Sequence, residues 1–184
     1  MFRKVVTVSV FALCLAAIPT ASFSQDVQLP LTWNGSGDTT FIAEYGTNSI
    51  DFDINIKVAE DGTVTGGTST DEGDAKIKHL FYGEKKEHQI PGLKSQKIIL
   101  VLLLNEYSSD SALVVLNGTI LSDRFFFGDI SFAQYEQGGS IAKALQVNDK
   151  IATEIYEDYL SSELKSALKQ CLPFGTFKAE GKLE

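Results

Sequence analysis

Two histidines carry the side chains of this sequence that are best suited to proton transfer or metal binding. His79 lies in a predicted strand, and His88 lies in the polar segment that follows Gly83. An imidazole can act as a general base or as a zinc ligand, but no further ligands follow at a zinc-site spacing. Both side chains are therefore interpreted as surface histidines, and no catalytic residue is predicted.

The turn Asp71-Glu72-Gly73-Asp74 places three carboxylates close together. Calcium requires six to eight oxygen ligands, of which this turn supplies about half, and the EF-hand spacing is missing. A solvated turn is the favoured interpretation, and no metal site is predicted.

Motifs of the common enzyme mechanisms are missing from the sequence. It contains no G-x-S-x-G nucleophile elbow, no H-E-x-x-H pair, no P-loop and no dinucleotide-binding glycine pattern after a strand. The sequence therefore predicts a protein that is not an enzyme, and it leaves any cofactor unknown.

Composition and charge narrow the function classes further. The 184 residues are 43% hydrophobic and 22% charged, which is typical of a globular domain. The formal net charge of −8 argues against a nucleic acid or an anionic membrane as partner.

The N-terminus has the pattern of an export signal. Arg3 and Lys4 precede the apolar run Val5–Ile18, and small residues follow. This run is shorter than the ~20 residues that a membrane-spanning helix needs. We expect a cleaved signal peptide at residues 1–24, a single domain at residues 25–184, secretion or periplasmic localisation, and no stable membrane insertion.

One cysteine and two glycosylation motifs remain in the expected mature chain. Cys171 is interpreted as buried, with pairing to another chain as the alternative. Asn34 and Asn117 begin N-x-S/T triplets, which would be glycosylation sites in a eukaryotic secretory pathway.

The pattern from Leu29 to Gln134 is one of short strands separated by turns. In Ile50–Val58 apolar and polar residues alternate strictly, and Asp61-Gly62 then predicts a tight hairpin turn. Gly66-Gly67 predicts a bulge or sharp bend in the returning strand. The predicted strands are Leu29–Asn34, Thr39–Tyr45, Ser49–Ala59, Thr63–Thr70, Ala75–Tyr82, Lys97–Asn105, Ser111–Ile120 and Arg124–Gln134. The segment Asn34-Gly35-Ser36-Gly37 is predicted to form the turn between the first two.

Short connections between these strands require antiparallel neighbours, since a parallel crossover needs a dozen or more residues. Eight such strands with one apolar face each are most simply accommodated by a closed barrel. We therefore predict a mainly β fold, an antiparallel up-and-down eight-stranded barrel.

The C-terminal part predicts one helix outside this barrel and a short final strand. The helix is expected to begin at Asn148-Asp149 and to end at Pro173. Within it, Ser161 either interrupts the helix or caps a new one. Its apolar stripe should pack on the strands that are apolar on both faces, Ile98–Leu104 and Leu113–Leu116. The final strand is predicted at Phe174–Leu183.

This arrangement resembles a lipocalin-type (calycin) barrel over nearly the whole mature chain. In Leu31-Thr32-Trp33 the tryptophan of the family's Gly-x-Trp motif is present, with Leu in the place of Gly. The usual disulfide cannot form with one mature cysteine. The resemblance implies an extracytoplasmic carrier of small apolar molecules, with Trp33 packed across one end of the barrel.

The densest aromatic segment, Phe125–Phe127, suggests which residues face the lumen. Alternation points Phe126, Ile130 and Phe132 to one side and Phe125 and Phe127 to the other. Such residues either pack as core or line a ligand site, because an eight-stranded barrel can be filled by side chains or hold one small ligand. The predicted ligand-binding residues are Trp33, Phe52, Ile54, Phe126, Ile130 and Phe132.

Two functions are consistent with these features. The first is an exported lipocalin-like carrier that binds a small apolar ligand in its lumen. The alternative is a filled barrel whose acidic surface binds a protein partner, as an inhibitor or interaction module.

Overall fold

The structure is a computed structural model that describes residues 31–43, 46–105, 111–155 and 161–184. The predicted signal peptide at residues 1–24 lies outside the described residues. The strands are β1 Leu31–Ala43, β2 Gly46–Val58, β3 Val64–Thr70, β4 Gly73–Glu87, β5 Lys94–Leu104, β6 Ala112–Leu121, β7 Phe125–Gln134, β8 Ala152–Glu154 and β9 Leu172–Leu183, and the helices are α1 Ser140–Ala144 and α2 Ser162–Gln170.

Eight of these strands form a closed antiparallel barrel, which confirms the predicted fold class. Each strand from β1 to β6 pairs with the next one along the chain, and β9 closes the ring between β7 and β1. This architecture is compatible with a lipocalin-like barrel. In β2 the alternation predicted from sequence is also confirmed, because Phe52, Ile54, Ile56 and Val58 are buried while the residues between them are exposed.

The first two predicted strands are in fact one continuous strand, β1, so the predicted turn at Asn34–Gly37 is wrong. β1 pairs with β2 over its whole length without a register shift. A side chain at Gly35 would place its Cβ 2.5 Å from the Trp33 ring, and one at Gly37 would collide with β9. These glycines therefore permit close packing inside the barrel instead of breaking the strand.

The C-terminal strand β9 is longer than the predicted strand and belongs to the ring of eight. It pairs with β1 from Phe41 to Trp33 and with β7 from Phe125 to Phe132. The ring of eight is therefore completed by a strand that follows the helices.

The single long helix predicted from Asn148 is wrong in its first half. Residues 152–154 form β8, and α2 begins only at Ser162, with the Ser161 side chain accepting a hydrogen bond from the Leu164 N–H. Ser161 is thus the N-cap, which was one of the two predicted alternatives.

β8 is an extra strand outside the ring and continues the line of β3 along β4. It pairs parallel to β4 from Leu80 to Tyr82, beyond the point where the β3–β4 pairing ends at Lys76 and Gly67. Ile151 also forms a bridge with Thr63. Backbone groups of β4 that would otherwise be unpaired are satisfied in this way, which explains why strand pairing overrides the helical pattern here.

A second apolar core, which we call the outer core, lies between the barrel and its outer helices, as predicted. The outward side chains Val101 of β5 and Val115 of β6 are fully buried, and they belong to the same cluster as Leu164 and Ala167 of α2. Cys171 is buried in this cluster, which confirms the expectation for its side chain, and burial raises the pKa of its thiol.

Candidate ligand cavity at one end of the barrel

The two ends of the barrel interior differ in how they are filled. At one end, which we call the packed end, the Trp33 side chain is fully buried and its indole N–H donates to the Asp123 carbonyl at 3.1 Å. Its ring meets the Phe126 ring edge-on, with centroids 6.1 Å apart. Added Cβ atoms at Gly35 and Gly181 would each lie 2.5 Å from this indole. The packed end therefore has no room for a ligand.

The opposite end, which we call the open end, contains a cavity of about 380 Å³. This volume falls within the ~300–1,000 Å³ of typical small-molecule sites. Apolar side chains from six strands form its wall: Ile50, Phe52, Ala75, Leu102, Leu104, Val114, Leu116, Ile130, Phe132 and Phe174.

Stacked aromatic rings form one side of the cavity mouth. The Phe174 ring stacks on Phe41 at a centroid distance of 4.5 Å and meets Phe132 edge-on at 4.7 Å. Phe174 is 37% exposed, and nearby Leu172 and Ile42 are 72% and 89% exposed. Apolar surface thus continues from the cavity wall to the outside of the molecule.

Polar side chains complete the cavity lining: Thr39, Thr68, Thr70, Glu72 and Asn105. The Thr39 hydroxyl donates to the Ile50 carbonyl, and the Thr70 hydroxyl donates to the Gly73 carbonyl while it accepts from the Glu72 and Gly73 N–H groups. These two hydroxyls therefore stabilise the barrel wall and the β3–β4 turn through their hydrogen bonds.

Five of the six predicted ligand-binding residues separate into two groups. Phe52, Ile130 and Phe132 line the cavity at the open end. Trp33 and Phe126 fill the packed end, where the Phe126 ring also contacts Phe177 at 4.7 Å.

The sixth residue, Ile54, is buried in the apolar core inside the barrel and is not part of the cavity lining. The predicted inward direction of Phe126, Ile130 and Phe132 is confirmed, and Phe125 and Phe127 are 40% and 44% exposed on the outside.

Sequence reasoning missed the cavity residues of the two doubly apolar strands. Leu102 and Leu104 of β5 and Val114 and Leu116 of β6 point into the lumen, while their neighbours point to the outer core. The sequence contained the necessary signal. Side chains of a strand alternate between its two faces, so if every second residue of an apolar run packs against the helix, the residues between them must face the lumen. Phe174 belongs to the predicted final strand, but nothing in its local pattern indicates that it faces the lumen.

His79 is fully buried, so its interpretation as a surface histidine is wrong. A bulge in β4 between Ile77 and His79 turns the imidazole toward the outer core. Its Nε2 lies 2.9 Å from the Thr153 hydroxyl, which in turn donates to Gln146. Nε2–H is therefore the donor, and β8 is held against β4 through this side chain.

The other ring nitrogen of His79, Nδ1, has no hydrogen-bond partner among the described residues. Burial lowers the pKa of this imidazole from 6.5 to about 4, although the Asp149 carboxylate acts in the opposite direction. His79 is therefore neutral near pH 7 and acts as a structural hydrogen-bond donor, remote from the cavity.

The remaining chemical candidates lie on the surface. His88 is exposed, with its Nε2 2.7 Å from the Ser95 hydroxyl, as expected of a surface histidine. Asp71 and Glu72 are exposed in the β3–β4 turn. Within the ranges that the structure describes, no three His, Cys, Asp or Glu side chains are grouped so as to hold a metal ion.

The fold and the cavity together define a class of protein, a closed antiparallel β-barrel with one packed end and one hollow end. No family model matches the chain, and neither a curated protein nor a solved structure matches it. In the described part of the chain, none of the helices has the length and apolar character required to cross a membrane.

Proposed function

We propose that this protein is an exported, non-enzymatic carrier of the lipocalin-like type, which binds a small apolar molecule at the open end of its barrel. The observation that supports this proposal is the cavity of about 380 Å³ with its wall of aliphatic and aromatic side chains. Export is inferred from the N-terminal signal pattern alone.

The energetics of burial favour an elongated apolar ligand. Each methylene group moved from water into the cavity contributes about 0.8 kcal/mol. Ten enclosed methylene groups would contribute about 8 kcal/mol, which corresponds to a Kd of about 1 μM before ordering costs are subtracted. The cavity at the open end also favours the carrier over the alternative, a filled barrel that acts only through its acidic surface.

The test is a titration with the neutral fluorescent probe N-phenyl-1-naphthylamine, whose emission rises in apolar surroundings. We expect saturable binding to the wild-type protein with one site. Trp33, the single tryptophan, lies at the packed end, so its own fluorescence should change little and is a poor reporter.

Two substitutions that fill the cavity from two different strands of its wall should weaken this binding at least tenfold. They are Val114→Phe on β6 and Ala75→Leu on β4, and both side chains line the cavity. Thr65→Phe is the control, because it adds an aromatic ring at an exposed position of β3. Equal probe binding by all four proteins, each checked for its fold by circular dichroism, would contradict a site in this cavity.

A further inference from the structure

We propose that the ligand of this cavity is an amphiphile with a cationic head group, such as an alkylamine, and not a fatty acid. This inference rests on the proposed function, because it concerns the head group of a molecule whose apolar part occupies the cavity. It is carried by the charge and the hydrogen-bonding state of the polar side chains at the mouth.

Glu72 is the one charged side chain among the described residues that line the cavity. Its backbone N–H donates to the Thr70 hydroxyl, but its carboxylate makes no hydrogen bond or ion pair within the described ranges. A carboxylate at the rim of an apolar cavity attracts a cation and repels an anion.

Two further polar groups at the mouth are available to a head group. The Thr68 hydroxyl and the Asn105 side-chain amide line the cavity and have no hydrogen-bond partner among the described residues. Both can accept a hydrogen bond through oxygen, and an ammonium group is a donor of up to three. Glu72, Thr68 and Asn105 together therefore offer acceptors that suit an amine.

The nearest lysines on the strands of the open end point away from the lumen. Lys76 is exposed on the outside of β4, next to the inward Ala75. Lys178 of β9 is exposed and pairs with Asp38 at 3.3 Å. A carboxylate head group at the mouth would thus face Glu72 without a cation from the described lining, and repulsion between the two carboxylates would weaken its binding.

The experiment compares three ligands that share a ten-carbon chain: decylamine, decanol and decanoate. Each displaces N-phenyl-1-naphthylamine at pH 7.5 and low ionic strength, below its micellar concentration. For the wild-type protein we expect the affinity order decylamine, decanol, decanoate, with steps of about two- to fivefold, as for a solvent-exposed charge pair.

The variant Glu72→Gln should weaken decylamine and strengthen decanoate by about the same factors, and it should leave decanol unchanged. Salt at 0.5 M should reduce the wild-type differences in the same way. Glu60→Gln is the matched control, because Glu60 is an exposed carboxylate in the turn between β2 and β3 at the packed end. Any binding that remains in the variant Val114→Phe, whose cavity is filled, measures non-specific adsorption of the ligands.

The outcomes separate this inference from the proposed function. Binding of all three ligands with equal affinity, or tightest binding of decanoate, would overturn the cationic head group and leave the carrier intact. Tightest binding of decanol, or failure of all three ligands to displace a probe that binds saturably, would likewise overturn the cationic amphiphile. Absence of saturable probe binding to the wild-type protein would overturn the carrier itself.

Discussion

At the packed end of the barrel the Trp33 ring is fully buried and lies against two glycines, whereas the open end encloses about 380 Å³ between side chains of similar apolar character. Both ends belong to the same eight strands. The difference arises because Gly35 and Gly181 leave room for one large ring whose N–H is held by the Asp123 carbonyl.

This contrast shows that tight packing and empty space are separated along the barrel axis. The Lys85–Asp123 ion pair, at 2.6 Å, fixes the β6–β7 turn below Trp33. The open end instead has exposed Ile42 and Leu172 beside its mouth. We therefore expect substitutions at the packed end to change mainly the free energy of unfolding, and those at the open end to change mainly binding.

Removal of the indole is the strongest way to test this contrast. Trp33→Ala should reduce the free energy of unfolding by about 3–5 kcal/mol, because it leaves a large cavity at a packed site. Phe132→Ala at the open end should cost roughly half as much or less, since the Phe132 side chain is only half-buried and already borders empty space. Urea unfolding of both variants measures the difference, and equal losses would contradict it.

Acid should lower the free energy of unfolding through His79, which faces the outer core and belongs to neither end of the lumen. The pKa of His79 is about 4 in the folded protein and 6.5 when solvated, so the unfolded chain binds the proton first as the pH falls. The free energy of unfolding should therefore fall by up to about 3 kcal/mol between pH 6.5 and pH 4, and this group should cause no change above that range.

His79→Gln retains a hydrogen-bonding side chain but does not titrate. Urea unfolding at pH 7.5, 5.5 and 4.5 should give a shallower pH dependence for this variant than for the wild-type protein. Parallel curves for the two proteins would show that His79 is not the source of the acid response.

The addition of one or two carbon atoms is the smallest test of the contrast. Gly181→Ala should cost about 1–3 kcal/mol, because its Cβ would lie 2.5 Å from the Trp33 ring. Ala75→Val, which adds carbon to the cavity wall, should change stability by less than about 0.5 kcal/mol. Thermal unfolding compares the two, and a larger loss for Ala75→Val would show that the open end is packed as tightly as the other.

The sequence predicted the barrel because its strand signals are local. The alternation in β2 and the Asp61-Gly62 turn both have their expected form, with Gly62 at φ +82° and the Asp61 carboxylate accepting from the Thr63 N–H. The continuous apolar run of β5 indicated correctly that something covers the outside of the barrel.

Features that depend on distant partners were not predictable in the same way. Asn34-Gly35-Ser36-Gly37 has the composition of a turn, but the space that its glycines provide is used by Trp33 and by β9, which lies far along the chain. The same limit applied to β8, which exists because β4 has unpaired backbone groups. Phe52, Ile130 and Phe132 were correctly pointed inward, yet their separation from Trp33 and Phe126 along the axis requires the register of the whole barrel.

The central claim, that ligand binds at the open end alone, is tested most directly by methyl NMR. A titration of the ¹³C-methyl-labelled protein with decylamine should shift the resonances of Leu116 and Ile130, which line the cavity. The resonances of Ile56, opposite Trp33 in the β1–β2 pairing, and of Ile120 should stay in place. Shifts of the Ile56 and Ile120 methyl groups without shifts of Leu116 and Ile130 would contradict the account.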